Sequence, residues 1–499
     1  MRCHALPVVL TALSSLACAG ESPGPAITMA AFGERTCNPR QTFGDTWDTA
    51  WLVDGRVLVQ YNDGSGFNGN LAVAHHDGVC ELKGTPEDIA TIAGIDLNPG
   101  RLGNFLGATY STGLYSIDNA LYHLCCYSVQ IPGAWKFYDT NLYKSVDGGA
   151  TWLNHRGEKD HYIPASLSAS TFPDRRWGEV DFVKYGRGGV APDLDRAREF
   201  AYLTCGDLDT YLARVRRSEL SAWDGAFDRS RIEYYCGAAN ADGMLDSNWT
   251  REISRCTPIR KGGCPGAMVW NPGLRRYLMT AFAGDSWENP PIRSTLFIYE
   301  APHPWGPWTE VNREYTEPRV GDTLGWFFLM QAFMSPDGTR MWATVAGRQP
   351  YGLQFLPVFL TTQPVETRLA GQAEREGTVL SNAVKGSVSP AYIDAFNAVG
   401  DGCAFTIPVT ATGMYALRYR YYCNDVNQTI SLSVNGRSGE RLALGNTLQS
   451  TLPWNEGSAR IWLTAGTTTI QFHVAPGDRA NNLHLDRIQL ALLSTAAVH

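Results

Sequence analysis

The stretch "GLYSIDNALYHLCCYS" (113–128), followed by "NLYKSVDGGATW" (141–152), decides the fold. A short alternating strand runs into an Asp-Asn turn, and an aromatic-rich strand returns. A third strand then ends in Ser145-x-Asp147-x-Gly149-x-Thr151-Trp152. Alternation on both sides of a tight turn is the signature of a β-hairpin.

The same grammar recurs in four other places. "TAWLVDGRVLVQYND" (49–63) precedes "NLAVAHHDG" (70–78), and "VDFVKYGRGG…REFAYLTCGD" (180–207) precedes "TYLARVRRSEL" (210–220). "GAMVWNPGLRRYLMTAFAG" (266–284) precedes "TLFIYEAPHPWGPWTEV" (295–311), and "QAFMSPDGTRMWATVAG" (331–347) precedes "LQFLPVFLTT" (353–362). Units repeating roughly every 60 residues, each a meander of up to four strands, indicate a β-propeller, here of five blades. The rival, a pair of β-sandwiches, would not repeat this hairpin grammar. From about residue 366 the pattern changes to plain alternating strands with turns every ten residues or so, which fits a β-sandwich. The reading is all-β: a five-bladed propeller over 20–365 and a jelly-roll sandwich over 366–499.

Composition agrees. The 499 residues include 50 Gly, 27 Pro, 15 Trp and 22 Tyr, and the net charge is −7. No basic block is present, which speaks against a nucleic-acid partner. "MRCHALPVVLTALSSLACAG" reads as a leader, residues 1–19, with Ala17-Cys18-Ala19 as its cleavage site and no spanning helix. The expectation is a secreted monomer without a membrane partner; a lipid anchor at Cys18 is the second reading. Of 12 Cys, Cys3 and Cys18 leave with the leader. The even number left suggests disulfides, with Cys256–Cys264, Cys403–Cys423 and Cys205–Cys236 as expected pairs. Asn248 and Asn427 head glycosylation sequons.

The 141–152 motif resembles the "Asp box" of sialidases. Its expected place is the turn between a blade's third and fourth strands, where it reports architecture and not chemistry. The arginine constellation of sialidases cannot be picked out. "GDTWDTAWLVDGRVLVQYNDGSGF" (44–67), "LARV" (212–215), "VWNPGLRRY" (269–277) and "IYEAPHPWGPWT" (298–309) resemble a group of secreted five-bladed propellers. That group includes endo-D-arabinanases and sits among arabinanase-like enzymes. The C-terminal "AERE" (373–376), "FTIPVTATGMYALRYRY", "SLSVNG", "WLTAGTTTIQF" and "NNLHLDRI" resemble carbohydrate-binding modules of families 6 and 35. That resemblance implies a structural calcium held by Glu374, Glu376 and Asp486, and a sugar platform of Trp454 with Asn482, Asn481 and Tyr392 beside it.

The expected activity is glycoside hydrolysis of a polysaccharide by paired carboxylates in the propeller cavity, with no cofactor. Asp48, Asp45 and Asp63 of blade one and Glu179 and Asp181 of blade three are the candidate acids. Asp48 matches the position of the superfamily's base, although the proline usual after it is Thr49 here. Ser111 and Thr112 stand where arabinanases carry a further acid in blade two. Trp47, Trp177 and Trp326 are candidate sugar-stacking residues, and Lys261 and Arg348 candidate substrate contacts. Two alternatives stay open. A polysaccharide lyase would draw its base and cation from Tyr127, His123, Lys261, Arg187 and Arg348. A glycan-binding protein would have no catalysis at all.

Overall fold

The computed structural model describes residues 23–37, 42–67, 75–97, 109–131, 134–161, 163, 168, 170–206, 209–237, 248–262, 264–283, 295–315, 323–348, 351–424, 428–445 and 454–495. The expected leader and Asn427 lie outside them.

Five antiparallel meanders form the first part of the chain. Blade one carries a broken inner strand, Phe43–Asp45 and Thr49–Trp51, then Val57–Gly66, His75–Thr85 and Asp88–Asp96. Blade two runs Thr109–Ile117, Ala120–Ile131, Ala134–Ser145 and Leu153–Asn154. Blade three runs Val180–Lys184, Phe200–Cys205, Asp209–Arg216 and Glu233–Tyr235; blade four runs Cys264–Asn271, Arg276–Ala283, Thr295–Ala301 and Thr309–Tyr315. Blade five runs Thr323–Met330, Arg340–Arg348 and Tyr351–Thr361, and its outer strand is Met29–Phe32 from the N-terminal side. That closure was not legible, because four residues, "MAAF", carry no alternation to read. Blade three also departs from expectation. "RSEL" (217–220), read as the end of a strand, belongs to a helical turn over Arg217–Ala222.

The blades close into a ring through polar side chains that bond the next blade's inner strand. Asn62 exchanges two bonds with the Ser111 backbone at 2.8 Å each, and Thr112 Oγ1 donates to Val180 O at 2.7 Å. Val183 and Lys184 pair in parallel with Met268 and Val269. Thr280 Oγ1 donates to Phe327 O at 2.7 Å, and Thr344 Oγ1 to Trp47 O at 2.5 Å. Buried inner strands have no water to satisfy their carbonyls, so such bonds fix blade against blade.

In the 145–152 turn, Thr151 N donates to Asp147 Oδ1 at 2.9 Å and Gly149 N to Ser145 Oγ at 2.8 Å. Trp152 packs inside among Leu114, Leu121 and Tyr143. The turn is therefore self-contained and lies between the third and fourth strands.

Residues from Glu366 onward form a six-stranded and a five-stranded antiparallel sheet around one apolar core. Only 362–365 separate them from blade five, and the sandwich sits directly on the propeller. Ala416 and Ala491 pack on Met29 and Ala31 of the closing strand. Thr361 Oγ1 donates to Leu492 O at 2.6 Å, Arg418 to Val311 O at 3.0 Å, and Ser458 Oγ to Glu314 at 2.6 Å.

Among the described residues no disulfide joins Cys403 to Cys423 or Cys205 to Cys236, against expectation, and the Cys264 side chain lies outside them. Cys403 and Cys423 lie in opposite sheets of the sandwich, and the Asp209–Arg216 strand separates Cys205 from Cys236.

Candidate active site at the propeller mouth

Blade one's inner strand and its neighbour carry mirrored motifs, Gly44-Asp45 and Asp63-Gly64. Asp45 pairs with Asn62 across a bulge that begins at Phe43 opposite Gly66. The two backbones cross closely there: a Cβ at Gly64 would lie 2.5 Å from Gly44 Cα. Gly44 has φ 139°, Thr46 φ 52° and Asp63 φ 48°. Two left-handed non-glycine residues, Asp63 itself and Thr46 next to Asp45, mark a backbone held in place by its surroundings. The glycines remove the steric bulk that would keep the two acids apart.

Asp45 is 3% exposed. Its Oδ2 accepts from the Tyr351 hydroxyl at 2.7 Å and its Oδ1 from Thr46 Oγ1 at 2.8 Å. Burial, and then the charge of Asp63, push its pKa up to about 7, against the lowering effect of the two hydroxyls. Asp63, Tyr110 and Tyr351 are half-buried around it. Tyr351 packs edge-on against Phe43 at 4.8 Å, and Tyr110 against Phe137 at 5.8 Å. Burial and the charge of Asp63 push the Tyr110 pKa up to about 12. Glu179, also half-buried, precedes Val180 and acts electrostatically on Cys126, the cross-strand partner of Tyr110. Asp45, Asp63 and Glu179 thus belong to one end of the ring, with Tyr110 and Tyr351 among them.

Asp48 and Asp181 do not, which corrects the expectation that they face substrate. The left-handed turn at Thr46 carries Asp48 to the axis, where it is 0% exposed. Its Oδ2 accepts from Lys184 Nζ at 2.6 Å and from Leu114 N at 2.9 Å. Lys184 also donates to Asp181 Oδ1 at 2.9 Å and Leu114 O at 2.5 Å. One ammonium cannot neutralise two buried carboxylates. Burial, and then Asp48, hold Asp181 well above the usual carboxylate range. This triad ties blades one, two and three together, with Asp48 wholly enclosed and Lys184 and Asp181 nearly so.

Trp47 and Trp177 are also corrected. Trp47 donates to Gly44 O at 3.0 Å and packs on Tyr61, and Trp177 stacks on Phe172 at 5.4 Å. Both are fully buried between blades. The Trp326 and Arg348 side chains lie outside the described residues. Lys261 is exposed on a short strand paired with Asp209 and Thr210. Three of the groups named for a lyase have partners away from the carboxylates. Tyr127 donates to Ile163 O at 3.1 Å; His123 is buried against Ser111 Oγ at 2.9 Å, its pKa lowered to about 3 by burial. Arg187 donates to Val53 O at 2.7 Å, on the far side of blade one's hairpin.

In the sandwich, Trp454 is 1% exposed, donates to Lys385 O at 3.1 Å and lies under the Arg420 guanidinium, 5.1 Å from the ring. Tyr392 is buried edge-on against it at 5.5 Å. The expected open platform is therefore core packing; Asn481 and Asn482 are exposed in the adjacent turn. Nor do the expected calcium ligands fit a metal. Asp486 is buried, ion-paired to Arg420 and bonded by the backbone N–H groups of Val388 and Ser389, while Glu374 and Glu376 are exposed on the other sheet. Among the described residues no cluster of three metal-ligating side chains occurs.

No family model matches the chain, and no curated protein matches it. Among solved structures it is similar to an exo-β-1,3-galactanase from Phanerochaete chrysosporium with β-1,3-galactotriose, 13% identical over 93% of this chain and 99% of that one, TM-score 0.42. It is also similar to a family 35 carbohydrate-binding module from Clostridium thermocellum, 21% identical over 26% of this chain and 97% of that one, TM-score 0.24. A family 35 module from Paenibacillus barcinonensis is 16% identical over 25% and 98%, TM-score 0.23. At these scores the likenesses fix neither substrate nor activity.

Proposed function

We propose that this chain is a glycoside hydrolase that cuts a polysaccharide at the mouth of the propeller, with Asp45 and Asp63 as its working pair. Asp45 is the proton donor to the leaving glycosidic oxygen. Asp63 is the partner carboxylate, acting on water or on the anomeric carbon. Glu179 faces the sugar from blade three. The observation that supports this reading is a pair of interacting carboxyl groups of unequal exposure. Asp45 is 3% exposed and Asp63 half-buried, and burial, then the charge of Asp63, push the Asp45 pKa up to about 7. A carboxyl raised in this way can serve as an acid at neutral pH.

On this reading the leader exports the chain, the polymer is met outside the cell, and the sandwich is a carbohydrate-binding module fixed to the enzyme. The test is a panel of purified polysaccharides assayed for new reducing ends and for the ultraviolet absorbance of unsaturated products. Reducing ends without absorbance, lost in Asp45→Asn and Asp63→Asn, are expected. Absorbance would indicate a lyase, and retention of glycan with neither signal a binding protein.

A further inference from the structure

The proton donor's carboxyl is capped on both oxygens and almost shut off from solvent. Asp45 Oδ1 is held by Thr46 and Oδ2 by Tyr351, and only 3% of the residue is exposed. A general acid must come within hydrogen-bond reach of the oxygen it protonates. Of the two hydroxyls on Asp45, that of Tyr351 belongs to a half-buried side chain that starts blade five's third strand.

We propose that Tyr351 delivers the proton: once Asp45 is protonated on Oδ2, the 2.7 Å hydrogen bond between the two oxygens runs from the carboxyl to the phenol, the phenol hydrogen so released passes to the leaving glycosidic oxygen, and the Tyr351 oxygen takes the hydrogen of Asp45. This rests on the reading of Asp45 as the acid. The step balances. The bond between the anomeric carbon and the leaving oxygen breaks and its electron pair goes to that oxygen, which gains the Tyr351 hydrogen. Tyr351 is restored by Asp45, which ends as the carboxylate and is reprotonated from solvent in the next cycle. Asp63 and Tyr110 are the other titratable groups acting on Asp45 and Tyr351. Burial and the Asp45 charge hold the Tyr351 pKa above the usual phenol value, so it relays a proton and does not lose one.

A phenol that serves the acid step matters only when the leaving group needs a proton, whereas one that merely shapes the site would affect all substrates alike. Whether it carries the proton or only holds Asp45 is then read from the number of protons in flight. The test compares Tyr351→Phe with the unmodified enzyme on two substrates: the polysaccharide that yields reducing ends, and a dinitrophenyl glycoside of the oligosaccharide released from it. Expected is a loss of kcat of about 100-fold on the polysaccharide, with the dinitrophenyl substrate cleaved within a few-fold of the normal rate. Equal losses on both substrates, or no loss on either, would overturn the relay. A second measurement needs no variant: kcat on the polysaccharide in mixtures of light and heavy water. A bowed dependence is expected from two protons in flight, and a straight line would overturn the proposal. Asp45→Asn separates the two ideas. Full activity in that variant removes the reading of Asp45 itself; an inactive Asp45→Asn beside a fully active Tyr351→Phe removes only the relay.

Discussion

Lys184 of blade three reaches Asp48 of blade one at 2.6 Å, across the inner strand of blade two, whose Leu114 bonds both of them. Three blades meet in this contact, where Asp48 is 0% exposed.

Lys184→Met leaves two buried carboxylates without their cation. It is expected to destabilise the protein by about 3–5 kcal/mol, the cost of breaking a buried ion pair from one side. Adding Asp48→Asn and Asp181→Asn to the same chain is expected to recover part of that. Denaturant unfolding of both variants measures the difference. A surface role for Lys184 would give less than about 1 kcal/mol.

Asp45 links stability to pH. Its folded pKa, about 7, lies above the ordinary aspartate value of 3.8, so between the two the folded state holds a proton that the unfolded state has released. Stability is expected to fall as pH rises from about 4 to about 7 and to level off beyond, a total of roughly 4 kcal/mol. Asp45→Asn removes that slope. In assays kcat/KM is expected to decline above about pH 7 as the donor form disappears. A profile flat to about pH 9 would exclude Asp45 as the donor.

Gly64→Ala places a methyl group against Gly44. The strands must separate and carry Asp45 away from Asp63. An expected loss of about 1–3 kcal/mol in stability is accompanied by loss of activity. Retained activity at normal stability would show that the close crossing is not needed.

Trp454→Ala distinguishes packing from sugar stacking. As a core residue it is expected to cost about 3–5 kcal/mol in thermal or denaturant unfolding. A stable variant that had lost only polysaccharide affinity would restore the platform reading.

The sandwich covers the strand that closes the ring, so the intact chain is expected to unfold in a single transition. Ending the chain at residue 365 exposes Met29 and Ala31 and leaves Glu314 without Ser458. That shortened chain is expected to melt lower than the full one in scanning calorimetry. Two resolved transitions in the full chain, the larger unchanged by the truncation, would show independent domains.

Hairpin grammar made the five meanders and the sandwich legible, because alternation and Asp-Gly turns are local and the pleat has a period of two. The closing strand was not, since "MAAF" gains its identity only from pairing with Thr361–Val358. The acids divide the same way. The sequence alone supplied Asp45, Asp48, Asp63, Glu179 and Asp181 as candidates, while the close crossing of Gly44 and Gly64 came from the structure. The sequence could not rank the acids, because Asp45 and Asp48 are three residues apart and Glu179 and Asp181 two. Only tertiary structure decided the outcome. The left-handed turn at Thr46 aims Asp45 at the mouth and Asp48 at the axis, where Lys184, from a blade more than a hundred residues away, supplies the charge that makes burial of a carboxylate tolerable.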